Sequence, residues 1–477
     1  MKKLTDILKN TPVREVCGDT AAAIGGLVYD SRAVKPGDCF FAVPGTQSDG
    51  HDYIPIAVEK GAAAIVCERM PADAAEGVAY VLVGDSAGAM ADMAAAFYDY
   101  PSRELKLVGI TGTNGKTTTA TLLYDLVRAM GYKAGLISTV VYKIDGREVE
   151  ATHTTPDSIR LNAMMREMAD AGCAYCFMEC SSHAIVQERT RGLDFAGGIF
   201  SNITHDHLDY HKTFAEYIRA KKLFFDGLPK GAFALTNADD RNGRVMVQNT
   251  AAAVSAYSLR AMADFRCKIV EMHLDGMLLR IDGQELWVGL LGRFNAYNLL
   301  AVYGAAVLLG LDRGEVLRVL SMLHAVSGRF EKIRAANGTT AIVDYAHTPD
   351  ALENVIQTIE EIRTPGQQLI VVCGCGGDRD RTKRPEMAAI AVKYATTAVF
   401  TSDNPRHESP EAILDDMVAG LEPGARYLRI ADRAEAIRTA VMLSRPGDII
   451  LVAGKGHETY QIVGDVKHPF DDREEIK

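Results

Sequence analysis

The sequence predicts an α/β protein in three domains, 1–100, 101–330 and 331–477, with a central parallel sheet of the P-loop type and a Rossmann-like C-terminal sheet. Three observations carry this reading. The chain has 477 residues, a length that suits about three domains. Leu105–Thr119 reads LKLVGITGTNGKTTT, an apolar strand, a glycine turn and a helix in succession. From residue 332 onward, short apolar runs alternate regularly with amphipathic ones, the pattern of a doubly wound sheet.

Leu107, Val108 and Ile110 form the strand, and Leu122, Leu123, Leu126 and Val127 share one face of the helix that follows. Between them lie Gly112, Thr113, Asn114, Gly115, Lys116, Thr117 and Thr118. A strand that turns through glycine into a helix N-terminus aims backbone N–H groups and the helix dipole at phosphate. Lys116 is placed to reach the terminal phosphates of ATP, and Thr117 to hold magnesium. The general G-x-x-x-x-G-K-S/T spacing would need glycine where Ile110 stands, so this is a shorter form.

Bulk composition excludes several classes. Net charge is −10, which argues against a general nucleic-acid surface, so an anionic substrate must be held by local cations and backbone N–H groups. The start MKKLTDILKN is broken by Asp6 and Lys9 and is no signal peptide, and no stretch is long and apolar enough to span a membrane. The expectation is a cytoplasmic monomer acting on small molecules, with no nucleic-acid or membrane partner. Nine cysteines in such a chain do not make a disulfide scaffold. Cys173, Cys176 and Cys180 lie in a β-like run that sends neighbouring side chains to opposite faces, so they read as small apolar residues rather than as a metal site. Cys373 and Cys375 read the same way.

In chain order, the first domain offers a helix at Ile54–Lys60, a strand at Ala63–Cys67 and a helix at Met90–Tyr98. It carries two polar loops, Tyr29-Asp30-Ser31-Arg32 and Thr46-Gln47-Ser48-Asp49-Gly50-His51. Pro101-Ser102-Arg103 is the first linker. Thr154-Thr155-Pro156-Asp157 starts a helix over Ser158–Ala171. Glu179 ends the apolar strand AYCFMEC, where a carboxylate beside a phosphate loop suits a second metal site. After a strand at Ile199–Ile203 come His205, Asp206, His207, Asp209 and His211, a cluster that suits zinc or, beside an ATP site, magnesium. Asn295 and Asn298 open a long apolar helix and either lie near the nucleotide or cap the helix. Ser327-Gly328-Arg329-Phe330-Glu331 is the second linker. In the third domain the strand ends carry Asp344 and His347, then Asp378, Arg379 and Asp380, then Asp403, Asn404, Pro405 and Arg406, and finally Gly454, Lys455, His457 and Glu458.

The loop T-G-T-N-G-K-T, the run Glu179-Cys180-Ser181-Ser182-His183, the D-H-L-D motif around His207, the Y-x-x-A-K-x-L-F pattern from Tyr217 to Phe224, and G-x-F-N-x-x-N from Gly292 together resemble the Mur ligase family along essentially the whole chain. That resemblance implies a three-domain enzyme of peptidoglycan precursor synthesis that uses ATP to join an amine to a carboxylate through an acyl phosphate. It implies nucleotide contacts from Gly112–Thr118, Asn295, Arg329 and Asp344, and contacts to a UDP-muramoyl dipeptide from Tyr29, Ser31, Thr46, Gln47, Ser48, Thr154, Thr155, Ser181, Gln187 and Arg189. It implies that Lys116, Glu179, His207 and Lys221 are catalytic, with Thr117, Glu179, His207 and a carbamylated Lys221 holding magnesium. D-N-P-R at Asp403–Arg406 resembles the diaminopimelate-adding branch, which implies that Arg379, Asp403, Asn404, Pro405, Arg406, Gly454 and Glu458 bind that amino acid. A guanidinium suits its second carboxylate, which lysine lacks. Lysine-adding relatives, folylpolyglutamate synthetases and a nucleotide switch without catalysis are the rival readings.

Overall fold

The structure is a computed structural model, and it describes residues 1–45, 48–151, 153–204, 208–335 and 337–477. The expected contacts at Thr46, Gln47 and His207 lie outside the described residues.

The N-terminal sheet runs in the order Val13–Cys17, Ala79–Val83, Ala64–Cys67, Cys39–Phe41, Leu27–Val28, parallel except for its first pair. Its strands are buried on both faces because side chains alternate. Phe41, Val66 and Val81 face the helix Ser86–Phe97, while Phe40, Ile65 and Tyr80 face the helix Ile54–Glu59. Ser86–Phe97 starts earlier than the apolar pattern suggests, because the Asp85 side chain accepts hydrogen bonds from the N–H groups of Ala87 and Gly88.

The central sheet places Lys106–Thr111 between Tyr175–Glu179 and Gly197–Phe200, all parallel. Ala134–Ile137 continues the parallel run on one side, and Phe233–Asn237, Ala253–Ser258 and Phe265–His273 on the other. Antiparallel hairpins close both ends. The carboxyl ends of the central strands therefore meet at one edge, where an open α/β sheet binds ligands. One local outcome differs from the sequence pattern. The strand at Gly197–Phe200 stops three residues before Ile203, because the next residues hydrogen-bond to the phosphate loop instead: Thr113 N–H donates to Asn202 O at 2.8 Å. The strand ending at Glu179 is followed at once by the helix Ser182–Val186, capped by Ser181 accepting from Ala184 N–H.

The C-terminal sheet has the order Glu331–Arg334, Thr340–Asp344, Ile449–Ala453, Leu369–Cys373, Thr397–Phe400, Tyr427–Arg429, parallel after the first pair. Left-handed non-glycine residues mark both predicted linkers, Asp99 (φ 60°) and Tyr100 (φ 51°) before Pro101, and Phe330 (φ 50°) after Arg329. All nine cysteines are free, and all but Cys17 are buried. Among the described residues no helix is long and apolar enough to cross a membrane.

Candidate active site

The phosphate loop is held as a preformed shell. Gly112 (φ 149°) passes so close to the neighbouring strand end that a Cβ would sit 1.9 Å from Ser201 Oγ, so only glycine fits this turn. Asn114 N–H donates to Asn202 Oδ1 at 2.9 Å, and Ser201 Oγ donates to Asn114 O at 2.6 Å. Gly115 (φ 86°) then opens the helix Lys116–Ala129. Lys116 Nζ lies back over the loop, 2.9 Å from both Gly112 O and Thr113 O. Lys221 reaches the same carbonyl from the helix Phe214–Asp226, with its Nζ 2.8 Å from Gly112 O. It is buried at 1 % exposure and lies 4.7 Å from the Tyr217 ring centre. Two lysines thus converge on one loop carbonyl.

Glu179 is fully buried at its strand end. Thr139 donates to it twice, N–H to Oε1 at 2.7 Å and Oγ1 to Oε2 at 3.1 Å. The Thr139 hydroxyl is also 3.1 Å from Thr154 Oγ1. Thr155 Oγ1 donates to Glu179 O at 2.7 Å and accepts from Ser181 N–H at 3.1 Å. Arg189 donates to Thr155 O at 2.6 Å and to Gln187 Oε1, and Asp157 caps the following helix. Thr154, Thr155, Ser181, Gln187 and Arg189 therefore form one connected layer against Glu179. Tyr29 of the first domain comes near it: burial pushes its phenol up, Asp157 adds to that and Arg189 opposes it. Ser31 is buried in a short 3₁₀ turn capped by Asp30, and Ser48 is exposed.

The third domain closes over this edge. A cleft of about 540 Å³ lies between Asn114, Gly115 and Thr118 on one side and Arg329, Asp344 and Asp350 on the other. Arg329 Nη2 donates to Thr117 Oγ1 at 3.2 Å, and its guanidinium lies 4.4 Å from the Tyr345 ring centre. Asp344 is buried and accepts from Phe330 N–H at 2.7 Å and Ala346 N–H at 2.8 Å. Burial pushes its carboxyl up, and Arg329 opposes that shift. Asn298 lines the cleft, whereas Asn295 turns away to donate to Leu291 O at 2.7 Å, and Gly292 takes the N-cap.

A second cleft of about 630 Å³ opens between Thr154 and His183 of the central layer and Arg379, Asp403, Asn404, Arg406, Gly454 and Glu458 of the third domain. Burial and the adjacent Arg379 push the Arg406 guanidinium below its ordinary value. Among the described residues neither arginine forms an ion pair, so the pair offers positive charge to an incoming carboxylate. Asn404 is fixed by Lys455 Nζ at 3.0 Å and by donating to Glu458 Oε2 at 2.9 Å. At Gly454 (φ 117°) a Cβ would lie 2.4 Å from Asp403 Oδ2. Pro405 packs its carbonyl on Gly377.

Tyr345, His347 and Asp350 line both clefts. Asp350 also bridges the domains, accepting from Asn114 Nδ2 at 3.1 Å and Thr204 Oγ1 at 3.3 Å. Sequence reading missed Asp350, Thr139 and Asn202. Asp350 stands beside Pro349 in a first helical turn, where an acidic residue reads as a dipole partner. Thr139 has no motif; only its position just after the strand Ala134–Ile137 could have drawn notice.

Comparison with known proteins agrees with this arrangement. Three family models match: the Mur ligase family catalytic domain over residues 23–98, the Mur ligase middle domain over 110–306, and the Mur ligase glutamate ligase domain over 328–456. A UDP-N-acetylmuramoyl-L-alanyl-D-glutamate–2,6-diaminopimelate ligase from Phocaeicola vulgatus is 55% identical over 477 residues, covering 100% of this chain and 99% of the relative. One from Geobacillus thermodenitrificans is 44% identical over 484 aligned positions, 99% of this chain and 98% of the relative. A solved structure of a ligase of that name superposes with a TM-score of 0.71 at 32% identity over 100% of this chain and 98% of its own. The MurF ligase of Thermotoga maritima, solved with ADP, shares the fold at 19% identity and a TM-score of 0.63, over 90% of this chain and 93% of its own. The chain belongs to the Mur ligase family.

Proposed function

We propose that this protein catalyses the ATP-dependent addition of meso-2,6-diaminopimelate to the D-glutamate γ-carboxylate of UDP-N-acetylmuramoyl-L-alanyl-D-glutamate, in peptidoglycan precursor synthesis. One observation carries the reading: two clefts, one on the phosphate loop and one on a pair of arginines, share the wall Tyr345, His347 and Asp350. A carboxylate activated in the first can be reached by an amine held in the second. ATP lies along Gly112–Thr118, with Arg329 from the hinge on its phosphates. The UDP-dipeptide is held from Tyr29 and Ser31 through Thr154, Thr155, Ser181, Gln187 and Arg189, which brings its γ-carboxylate beside Glu179 and Lys221. That carboxylate takes the γ-phosphoryl group to give an acyl phosphate and ADP. The amine of diaminopimelate then attacks the acyl carbon and phosphate leaves. Arg379 and Arg406 grip the second carboxylate, and Asp403, Asn404 and Glu458 hold the adjoining amino group.

The residues present suit magnesium. Thr117 supplies a hydroxyl and Glu179 a buried carboxylate, both hard oxygen donors. Lys221 as an ammonium would repel a cation; as the carbamate formed with CO₂ it would be an anionic oxygen ligand. Magnesium, when bound, neutralises charge between the phosphates and the attacking carboxylate. We place the domain boundaries near residues 100 and 330, at the left-handed residues of the two linkers, and the enzyme in the cytoplasm.

The test is phosphate release from ATP with the UDP-dipeptide, comparing meso-diaminopimelate with L-lysine. Release only with diaminopimelate is expected. Release with lysine alone would keep the ligase and overturn the acceptor assignment, and release with neither would overturn the function.

A further inference from the structure

Arg379 and Arg406 sit on two separate loops, and two cations in one half-buried pocket repel each other. Something must hold those loops at a fixed spacing. Each loop also carries a left-handed non-glycine residue, Asp378 at φ 54° and Arg406 itself at φ 50°. Such backbone persists only where surrounding contacts over-determine it.

The contacts converge on Glu408. Its Oε1 accepts from Asp378 N–H at 2.6 Å and from Arg384 Nη2 at 2.8 Å. Its Oε2 accepts from Arg384 Nη1 at 3.0 Å and lies 2.9 Å from Arg381 Nη2. Arg384 is fully buried and also donates to Gly376 O at 3.2 Å and to Asp416 Oδ2 at 2.7 Å. The two loops are laced directly as well: Gly377 N–H donates to Asn404 O at 2.9 Å, and Arg406 Nη1 donates to Gly377 O at 3.0 Å. A Cβ on Gly377 would lie 1.8 Å from Pro405 O, so the loops are already at closest approach. Glu408 is thus the one carboxylate that touches the Arg379 loop, stands two residues from Arg406 and is anchored by a buried arginine. The Arg384 guanidinium, with Arg381, holds its carboxyl down at about 2, so it stays charged throughout the working range.

We propose that Glu408, anchored by Arg384, is a positioning residue that sets the spacing of Arg379 and Arg406 and thereby the selection of an acceptor with a second carboxylate. It touches neither arginine as an ion pair partner, and acts by fixing the backbone that presents them. The inference rests on the proposed acceptor assignment, and a wild-type enzyme that does not use diaminopimelate would overturn that assignment rather than this step.

The test measures kcat and KM separately for meso-diaminopimelate, L-lysine, ATP and the UDP-dipeptide in full-length Glu408→Gln. Loss of the charge weakens several charge-assisted contacts at once, so KM for diaminopimelate is expected to rise on the order of 10- to 100-fold. kcat at saturation, and KM for ATP and the dipeptide, should stay near wild type. The preference for diaminopimelate over lysine should fall by a similar factor, and Glu408→Asp should recover part of it. An unchanged KM for diaminopimelate, or an equal rise in KM for ATP, would overturn the proposal. Should Glu408→Gln not fold, Asp416→Asn carries the test, because it loosens Arg384 from the exposed side. It is expected to raise KM for diaminopimelate about threefold without touching KM for ATP, a weakening of under 1 kcal/mol; no change would overturn the proposal.

Discussion

Arg329, in the linker to the third domain, touches the first turn of the helix after the phosphate loop, at Thr117, and its replacement by methionine tests whether closure is read by ATP. In the free protein the guanidinium donates to Thr117 Oγ1 at 3.2 Å and packs over Tyr345 at 4.4 Å. Each is worth about 1 kcal/mol, so Arg329→Met should lower stability by about 1–2 kcal/mol and still fold. On the proposed reading, nucleotide binding gives the same group a charge-assisted contact to phosphate worth about 1.5–3 kcal/mol. Binding forfeits the Thr117 bond, so the net loss for ATP is about 0.5–2 kcal/mol from the contact alone. Loss of the ring packing that orients the side chain adds to this. The expected result is a fall in kcat/KM for ATP of roughly 10- to 100-fold, using 1.4 kcal/mol per tenfold. KM for the UDP-dipeptide should move little. Arg329→Lys keeps the charge but not the planar fork, so it should recover only part of the loss. Coupled phosphate release with varied ATP measures this directly. A kcat/KM for ATP within about threefold of wild type, under 1 kcal/mol, would refute a phosphate role for the hinge arginine.

Three further outcomes are expected. Lys221→Met should fold, because Gly112 O keeps Lys116 as a second donor at 2.9 Å, while turnover falls by more than about 100-fold, the scale of losing one preorganised charged group; a melting curve and a phosphate assay on the same sample separate the two. Native thiol labelling should modify Cys17 alone quickly, since the other eight cysteines are buried, and mass spectrometry showing early adducts at Cys176 or Cys180 would contradict the packing. His407 joins the acceptor-pocket rim to the hairpin after it, with Nδ1 2.9 Å from Asp378 and Nε2 3.3 Å from Asp465. The hydrogen bond to Asp378 and the charge of Asp465 raise its pKa above the ordinary 6.5. A raised histidine contributes in full below its unfolded value and loses its contribution as pH rises through the folded one. Its imidazole shift, followed by NMR, should titrate above 6.5 and move back down in Asp378→Asn.

The fold class was legible because its signals are local. Leu107–Ile110 followed by Gly112–Thr117 can be little else than a strand, turn and helix, and the βα alternation after residue 332 needs only counting. Element ends were less legible where tertiary contacts decide them. Nothing within Ile199–Ile203 says that Asn202 will spend its carbonyl and side chain on Thr113 and Asn114 rather than on a strand partner. Motifs drew notice to residues that the structure places at the clefts or strand ends, as with Glu179, buried at its strand end, and Asp403, Asn404 and Arg406, which line the second cleft. The sequence was silent where a residue acts only through a distant neighbour: Thr139 matters because Glu179 lies across the sheet edge, and Glu408 because Asp378 and Arg384 come to it from other loops.

The placement of Asp350 follows from the same geometry. It sits in the first turn of the helix Pro349–Ile362, with Thr348 as N-cap, so the end of that helix carrying partial positive charge is directed at the edge where phosphates would lie. A carboxylate there would oppose phosphate, and this one is tied instead to the facing domain: Asn114 and Thr204 both donate to its Oδ2. Burial pushes this carboxyl up, and the bonds from Thr204 and Asn114 pull against that shift. The third domain therefore touches the phosphate loop through a helix end that favours anions and a carboxylate already paired to the loop. This contact needs the two domains together, because the donors and the acceptor lie on opposite sides of the linker at Ser327–Glu331. On the proposed reading, the cleft on the phosphate loop is thus complete only when the third domain, which carries the acceptor cleft, is brought against it. That ordering is what a ligase needs if its acyl phosphate is to meet an amine rather than water.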